Sequence, residues 1–315
     1  MIQLLVSMLL LAAKQAPGDT IDVMFWNVEN FFDYFDGGEN SSDSEYSSFG
    51  TRHWSKKKFQ AKCNAVAKTI LWVADRGERL PDVIGFAEVE NAFVLRRLLQ
   101  TTLLSKTDYR WVHFDSPDHR GIDVALLYRS SLFSVESARP VRVRGPDGEL
   151  LATRDVLTVA LETKEGERMA FIVNHHPSKY GGRSSEWKRE AAVGAMKGAI
   201  DSLRAVGVRN IIAMGDFNDT PEKALYETIP LVNMALPLAK KGEGSIRYNG
   251  KWELIDMFFT DEETSSKASM EVLKIPFLMT WDNVHSGEKP FRTWQGPKYL
   301  GGASDHCPVI LRICR

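Results

Sequence analysis

Between Tyr109 and about Met169 the chain presents one extended segment after another with no helix between them. Residues 123–128 and 157–161 are apolar runs of strand length, and Gly145-Pro146-Asp147-Gly148 and Glu165-Gly166 supply the turns. Strands that follow one another this closely pair antiparallel, because a parallel partner needs a crossover of a dozen or more residues. On either side of this block the pattern changes. Strand-like runs at 21–26, 82–87, 171–173, 210–214 and 254–259 are separated by longer stretches, several of them with helical spacing. Phe59, Cys63, Val66, Ile70 and Val73 predict an amphipathic helix over about 55–76. Asn91 can cap a second helix carrying Val94, Leu95, Leu98 and Leu99, and Ser184 a third that runs to about Val206.

Many strands, several helices and no dividing linker predict one α/β domain over 21–315. A continuous strand block rules against a single parallel sheet. It favours a four-layer α/β/β/α sandwich: two packed, mainly antiparallel sheets flanked by helices. Segment 36–50, rich in Gly, Ser, Asp and Glu, reads as a solvated surface loop. With 315 residues and 43% hydrophobic content, there is enough apolar material for a large core.

The first thirteen residues are apolar but too short to span a bilayer. With Ala12, Ala13 and Ala16 near a cleavage point they are expected to form a signal peptide over 1–16, hence a periplasmic or secreted protein. No Lys or Arg precedes the run. An N-terminal core helix or strand is the alternative, and would leave the protein cytoplasmic. No other stretch suggests stable membrane insertion. Cys63, Cys307 and Cys314 are too few and too scattered for a disulfide framework or zinc site, and are expected to be buried free thiols, the last two on one strand. The formal net charge of −1 gives no global field toward polyanions, so any such binding must come from local patches and a metal.

Polar clusters sit where strands end: Trp26-Asn27-Val28-Glu29-Asn30, Glu88-Val89-Glu90-Asn91, Asn174-His175-His176-Pro177-Ser178, Gly215-Asp216-Phe217-Asn218-Asp219, Asp256 inside a strand, and Ser304-Asp305-His306 before the last one. Core strands have little use for such residues. In Gly215-Asp216-Phe217-Asn218, Asp216 and Asn218 alternate and can face one side. An Asp there can orient and deprotonate a water, and an Asn can donate to a phosphate oxygen while staying uncharged. An ordinary turn capping a helix from Asp219 or Thr220 is the plainer reading of those residues alone.

Taken together and in this order, the clusters resemble the endonuclease/exonuclease/phosphatase superfamily with its deoxyribonuclease I-like fold, over about 21–315. Trp26 to Asp33, Arg120 to Tyr128 and the Asn-His-x-Pro-Ser run are similar to a bacterial branch of it, often exported. The resemblance implies that Asn27 and Glu88, with Asp305, hold a divalent metal: Mg²⁺, with Mn²⁺ or Ca²⁺ as substitutes. It implies that Asp216 positions or deprotonates the attacking water and that Asn218 binds a phosphate oxygen. His306 would stabilise phosphoryl charge, with Asp256 fixing its tautomer, and His175 or His176 would contact another phosphoryl oxygen. The superfamily spacing maps onto His176 and the branch spacing onto His175; strand alternation lets only one face the cleft unless the strand bulges.

Glu29 is a candidate near the metal. Glu90, Asn91, Asp123 and Arg120 have either site or bracing readings. Lys179, Arg183, Lys188 and Arg189 form a basic cluster that is either a solvated face or a phosphate contact, and Trp281 and Trp294 either line a cleft or pack. The implied activity is metal-dependent phosphodiester hydrolysis, first as an endonuclease on DNA. The alternatives are a phosphatase or phosphodiesterase on small-molecule or lipid phosphoesters, and, last, a non-catalytic binding module. The substrate is the one partner expected; the sequence points to no protein partner.

Overall fold

The computed structural model describes residues 20–37, 41–179 and 182–315. The expected leader at 1–16 lies outside them. No helix among the described residues is long and apolar enough to cross a membrane.

Two six-stranded sheets organise the molecule. The first contains β1 (Thr20–Phe31), β2 (Val83–Val89), β3 (Tyr109–His113) and β4 (Asp123–Arg129), together with Ala268–Val272 and Val309–Cys314. Its order is Ala268–Val272, Val309–Cys314, β1, β2, β4, β3. The second contains β5 (Phe133–Val141), β6 (Val156–Thr163), β7 (Arg168–His175) and β8 (Asn210–Asp216), then Asp256–Thr260 and the short Val232–Asn233 at its edge. The mid-chain block behaves as expected: β3, β4, β5, β6 and β7 make only antiparallel pairs with one another. Each sheet has one parallel pair, β1 with β2 and β7 with β8. Each of these is bridged by a long helix, Lys56–Gly77 and Glu186–Ala205, as a parallel connection requires.

Alternation along β1 builds two layers of core at once. Val23 and Phe25 point into the space between the sheets, whereas Met24 and Trp26 point outward to Phe59, Cys63, Val66 and Ile70 of the helix. β1 and β2 face β7 and β8 closely. At Gly85 a Cβ would come within 2.8 Å of Met214 Sδ and 3.1 Å of the Phe25 ring, so only hydrogen fits there. Ser55 caps the first helix by accepting from Lys58 N, and Asn91 caps Ala92–Thr101 by accepting from Val94 N.

Three expectations are corrected. Ser184 does not start the third helix: a 3₁₀ turn over Gly182–Ser185 precedes Glu186–Ala205, and Ser185 sits at its cap with no side-chain capping bond. Segment 36–50 is not wholly solvated, because Tyr46 stacks on Phe32 at 4.5 Å between ring centres and Asp43 and Ser47 are buried. Cys307 lies before the final strand and Cys314 on it; both are free thiols, as is Cys63, but Cys314 is only half-buried.

Candidate active site

Strand ends from both sheets open onto one cleft of about 850 Å³. Asn27 and Glu88 arrive from the first sheet, His175, Asp216 and Asn218 from the second, and Asp305 and His306 from the segment leading into Val309–Cys314. Backbone irregularity aims several of them. Phe86 faces the helical layer and Ala87 the inter-sheet space, so alternation would send Glu88 back toward the helices. Instead the pairing register shifts between Ala87 and Val89, Glu88 takes φ +64°, and its carboxylate turns into the cleft. A second shift follows Asn27 in β1, where Glu29 and Asn30 have φ +46° and +48°. With Asn218 at +51°, four non-glycine residues that line the cleft lie in the left-handed region. Such conformations cost of order 1–3 kcal/mol each and gather at functional sites.

Asp216 is the hub. Its Oδ2 accepts from Asn27 Nδ2 at 3.0 Å and lies 3.6 Å from His175 Nε2 and 3.8 Å from His306 Nε2; its Oδ1 accepts from Asn218 N at 2.9 Å. Burial pushes its pKa up to about 7, opposed by the nearby His306 and reinforced by Asp256. Gly215 beside it admits no side chain, because a Cβ would lie 2.3 Å from the Asn174 carbonyl oxygen. Asp256 stands directly opposite Asp216 in the antiparallel register and meets His306 Nδ1 at 2.8 Å. Burial alone would discharge His306, but Asp256, Asp216 and Asp305 outweigh it and hold the imidazolium well above the usual histidine range. The His306 backbone is pinned by its own N–H to Ser304 Oγ and by Trp26 Nε1 donating to its carbonyl.

The adjacent histidines divide. His175 lines the cleft with Nε2 toward Asp216 and Glu88, and burial together with Arg154 and Arg120 keeps its pKa well below normal. His176 lies off the cleft, its ring edge-on to Phe217 at 4.6 Å and its two ring nitrogens unpaired. Burial, with Arg154 and Arg189, pushes its pKa down to about 3. Its backbone still serves the site: the carbonyl accepts from Asn218 Nδ2 and from Arg154 Nη2.

Glu88 is held below the usual carboxylate range. Burial opposes this, but Arg120 at 3.6 Å, the Asn30 N–H at 2.7 Å and the more distant His306 and Arg154 prevail. Asp305 accepts from Arg292 Nη2 at 2.9 Å. Glu29 also lines the cleft. Its carboxylate accepts from the Thr293 and Trp294 N–H groups, and burial, reinforced by Asp305, raises its pKa to about 7. Asn27, Glu88 and Asp305 thus bring carboxylate and amide oxygens to the cleft, a donor chemistry that fits a hard divalent cation. Asp216, Asp256 and His306 form a further group of ligand type within 4.8 Å of one another.

Of the other candidates, Arg120 and Lys188 line the cleft and the rest of those described fall outside it. Glu90 accepts from Asp33 N and, by burial and the neighbouring Asp33 and Asp43, has a pKa raised to about 9. Asn91 is the helix cap already described. Asp123 pairs with His113 at 3.2 Å and accepts from Ser116 N, so it braces β3 and β4, while Arg120 reaches Asn30 and Glu88 instead. Lys179 pairs with Glu253 and Asp219, and Arg189 with Asp219; Lys188 lines the cleft. The Arg183 side chain lies outside what the structure describes. Trp294 is buried against Trp54 and Tyr299, whereas Trp281 is exposed on a hairpin.

Two supporting residues escape sequence reasoning. Arg154 is buried and ties Asp118 to the carbonyls of His175 and His176; nothing in its surroundings in the chain marks it. Lys62 is buried with Nζ donating to the Glu29 carbonyl and to Thr293 Oγ1, and burial lowers its pKa to about 8. It had a readable signal: a lysine between Phe59 and Cys63 on the apolar stripe of a helix.

Two facing sheets that bring carboxylate, amide and imidazole groups to a shared open edge make a hydrolase cleft suited to phosphate esters. The chain belongs to the Endonuclease/Exonuclease/phosphatase family, whose sequence model matches residues 22–315. Solved structures with the same fold include the human Nocturnin catalytic domain with bound sulfate, at 17% identity and a TM-score of 0.59, covering 94% of this chain and 93% of that one. A mannosyl-6-phosphatase from Bacteroides thetaiotaomicron gives 14% identity and a TM-score of 0.60, covering 94% and 100%. TDP2 from D. rerio complexed with single-strand DNA product gives 12% and 0.59, covering 94% and 99%. Comparison with curated protein sequences gives no match.

Proposed function

We propose that the protein is a divalent-metal-dependent phosphodiesterase that cleaves nucleic acid, DNA first, by in-line attack of water. The observation that carries the reading is Asp216: a buried carboxylate poised near neutrality, in contact with two amides and two histidines, at the floor of an open cleft. Glu88, with Asn27 and Asp305, would hold the cation, Mg²⁺ in this proposal. When bound it supplies Lewis-acid stabilisation of the phosphoryl oxygens.

The chain's own groups do the rest. Asp216 accepts the proton of the attacking water; its pKa near neutrality matches that task. Asn27 Nδ2 and Asn218 N fix the two carboxylate oxygens, so the acceptor does not rotate away. His306, kept charged by Asp256, presents Nε2 to the negative charge that develops on phosphorus oxygens. His175, neutral at physiological pH, presents Nε2 beside Asp216 as a hydrogen-bonding group for another phosphoryl oxygen. Arg120, Lys188 and Arg292 also line the cleft, Arg120 paired with Glu88 and Arg292 with Asp305.

The test is plasmid nicking by the purified protein in Mg²⁺ or Mn²⁺, with loss in EDTA and in Asp216→Ala. A protein inert on DNA and RNA but able to hydrolyse small phosphoesters would support the second reading, a small-molecule or lipid phosphoesterase, which the near-neutral overall charge favours. Full activity in Asp216→Ala would remove the mechanism altogether.

A further inference from the structure

A short hairpin continues the cleft wall beyond the catalytic groups. Ile246–Tyr248 pairs with Lys251–Glu253, joined by Asn249-Gly250 with φ +46° and +78°, the two-residue turn that an Asn-Gly pair makes best. The hairpin is rooted in the site. Ile246 bridges His306, the Ser245 carbonyl accepts from Cys307 N, and Ser245 Oγ accepts from Ile255 N and Asp256 N. It is braced from behind. Arg247 donates to the Gly250, Ser286 and Glu288 carbonyls, and Gly250 fits against the His285 side chain.

Side chains two apart on a strand share a face. Ile246 lines the cleft, so Tyr248 stands on the same face about 7 Å further out. Tyr248 is 67% exposed, and Lys251, directly opposite it in the register, is exposed too. The result is a rigid hairpin that holds a bare aromatic ring and a cation side by side, two residue pairs beyond the one that bridges His306. A surface hairpin needs neither the rear bracing nor the exposed ring for its own stability.

Resting on the nuclease reading above, we infer that Tyr248 and Lys251 form a subsite for the nucleotide that flanks the scissile phosphate. Tyr248 stacks on its base and Lys251 meets its outer phosphate. A base can lie on Tyr248 only when it is unpaired, so the subsite selects single-stranded or locally opened DNA. Tyr248 and Lys251 are specificity-determining residues here, not catalytic ones.

The experiment uses the full chain with a short single-stranded DNA oligonucleotide, intact or with one abasic tetrahydrofuran residue placed at each position in turn. The wild type should lose about tenfold in kcat/KM when the abasic residue falls at one position beside the cut, the size of one base–aromatic stack. Tyr248→Ala should show that loss on intact DNA, mainly in KM, with no further loss from the abasic residue. Tyr248→Phe should behave as wild type, and Lys251→Met should weaken the salt dependence of KM. Wild-type inactivity on every oligonucleotide would overturn the nuclease reading and the subsite with it. A wild type that cleaves but shows no abasic-sensitive position, or a Tyr248→Ala variant that keeps that sensitivity, would overturn the subsite alone.

Discussion

Replacing Asp256 by asparagine isolates the electrostatic half of the catalytic proposal. The substitution removes one negative charge 2.8 Å from His306 Nδ1 but keeps an oxygen that accepts the same hydrogen bond. At an effective dielectric of about 20, charges that close attract by about 6 kcal/mol. Asp216 remains on the far side of the ring, 3.8 Å from Nε2, and on the same scale supplies about 4 kcal/mol. His306 therefore keeps one of its two strongest supports, and burial, which works against the charge, gains weight. The imidazolium that persists through neutral pH in the wild type should lose its proton at a lower pH in Asp256→Asn. If that cation stabilises the phosphoryl charge as one strong donor does, kcat falls by about 10²–10³-fold where the variant's ring is neutral and the wild type's is charged. The assay is steady-state hydrolysis at saturating metal across about pH 5.5–9, with thermal unfolding to confirm the fold. The deficit should shrink toward acid pH as the proton returns to His306, and KM should change little. A kcat reduced by the same factor at every pH would refute the charge argument and leave Asp256 a merely positional role; an unchanged kcat would refute both.

Glu88→Gln should raise the metal concentration for half-maximal activity at least about tenfold, read by titration of Mg²⁺ or Mn²⁺, because a charged donor is replaced by a neutral one. His175→Gln should lower kcat at least about tenfold, while His176→Gln, on the far side of the strand end, should stay within about threefold once both are shown folded; parity between them would contradict the placement of the two rings. Glu90→Gln should stabilise the protein at about pH 8 by roughly 1–3 kcal/mol. The folded-state pKa of Glu90, about 9, lies above its unfolded value. The stability tied to its bound proton is therefore complete below about pH 4.5 and is lost as pH rises toward about 9. Denaturant melts at two pH values check this, and a variant no more stable than wild type at the higher one would count against it.

Much of the layer plan was legible in the chain. The turn-separated strand block forced antiparallel pairing, and the stripe from Phe59 to Val73 marked a crossover helix. Site residues were legible as types at strand ends, yet their directions were not. Glu88 faces the cleft only because a register shift and a left-handed backbone override the alternation that its sequence implies. The choice between His175 and His176 turned on which ring Phe217 would cover, a contact across 41 or 42 positions that no local pattern encodes. Arg154 holds the carbonyls of His175 and His176, acceptors that leave no trace in residue type, whereas Lys62 was marked by its place on an apolar helical stripe.

β1 is sandwiched between β2, made soon after it, and Val309–Cys314, made far later. Trp26 grips the carbonyl of His306 across 280 positions, and Ser304 grips that of Asn27 across 277. During synthesis the first strand must therefore wait, one edge unpaired, until that distant segment has been made. Two of the site's residues arrive with that segment. A nascent or prematurely truncated chain can fold much of its second sheet, but it carries neither the imidazole nor the strand that seats it. The topology leaves the cleft incomplete until a segment about 280 positions away has joined the first strand.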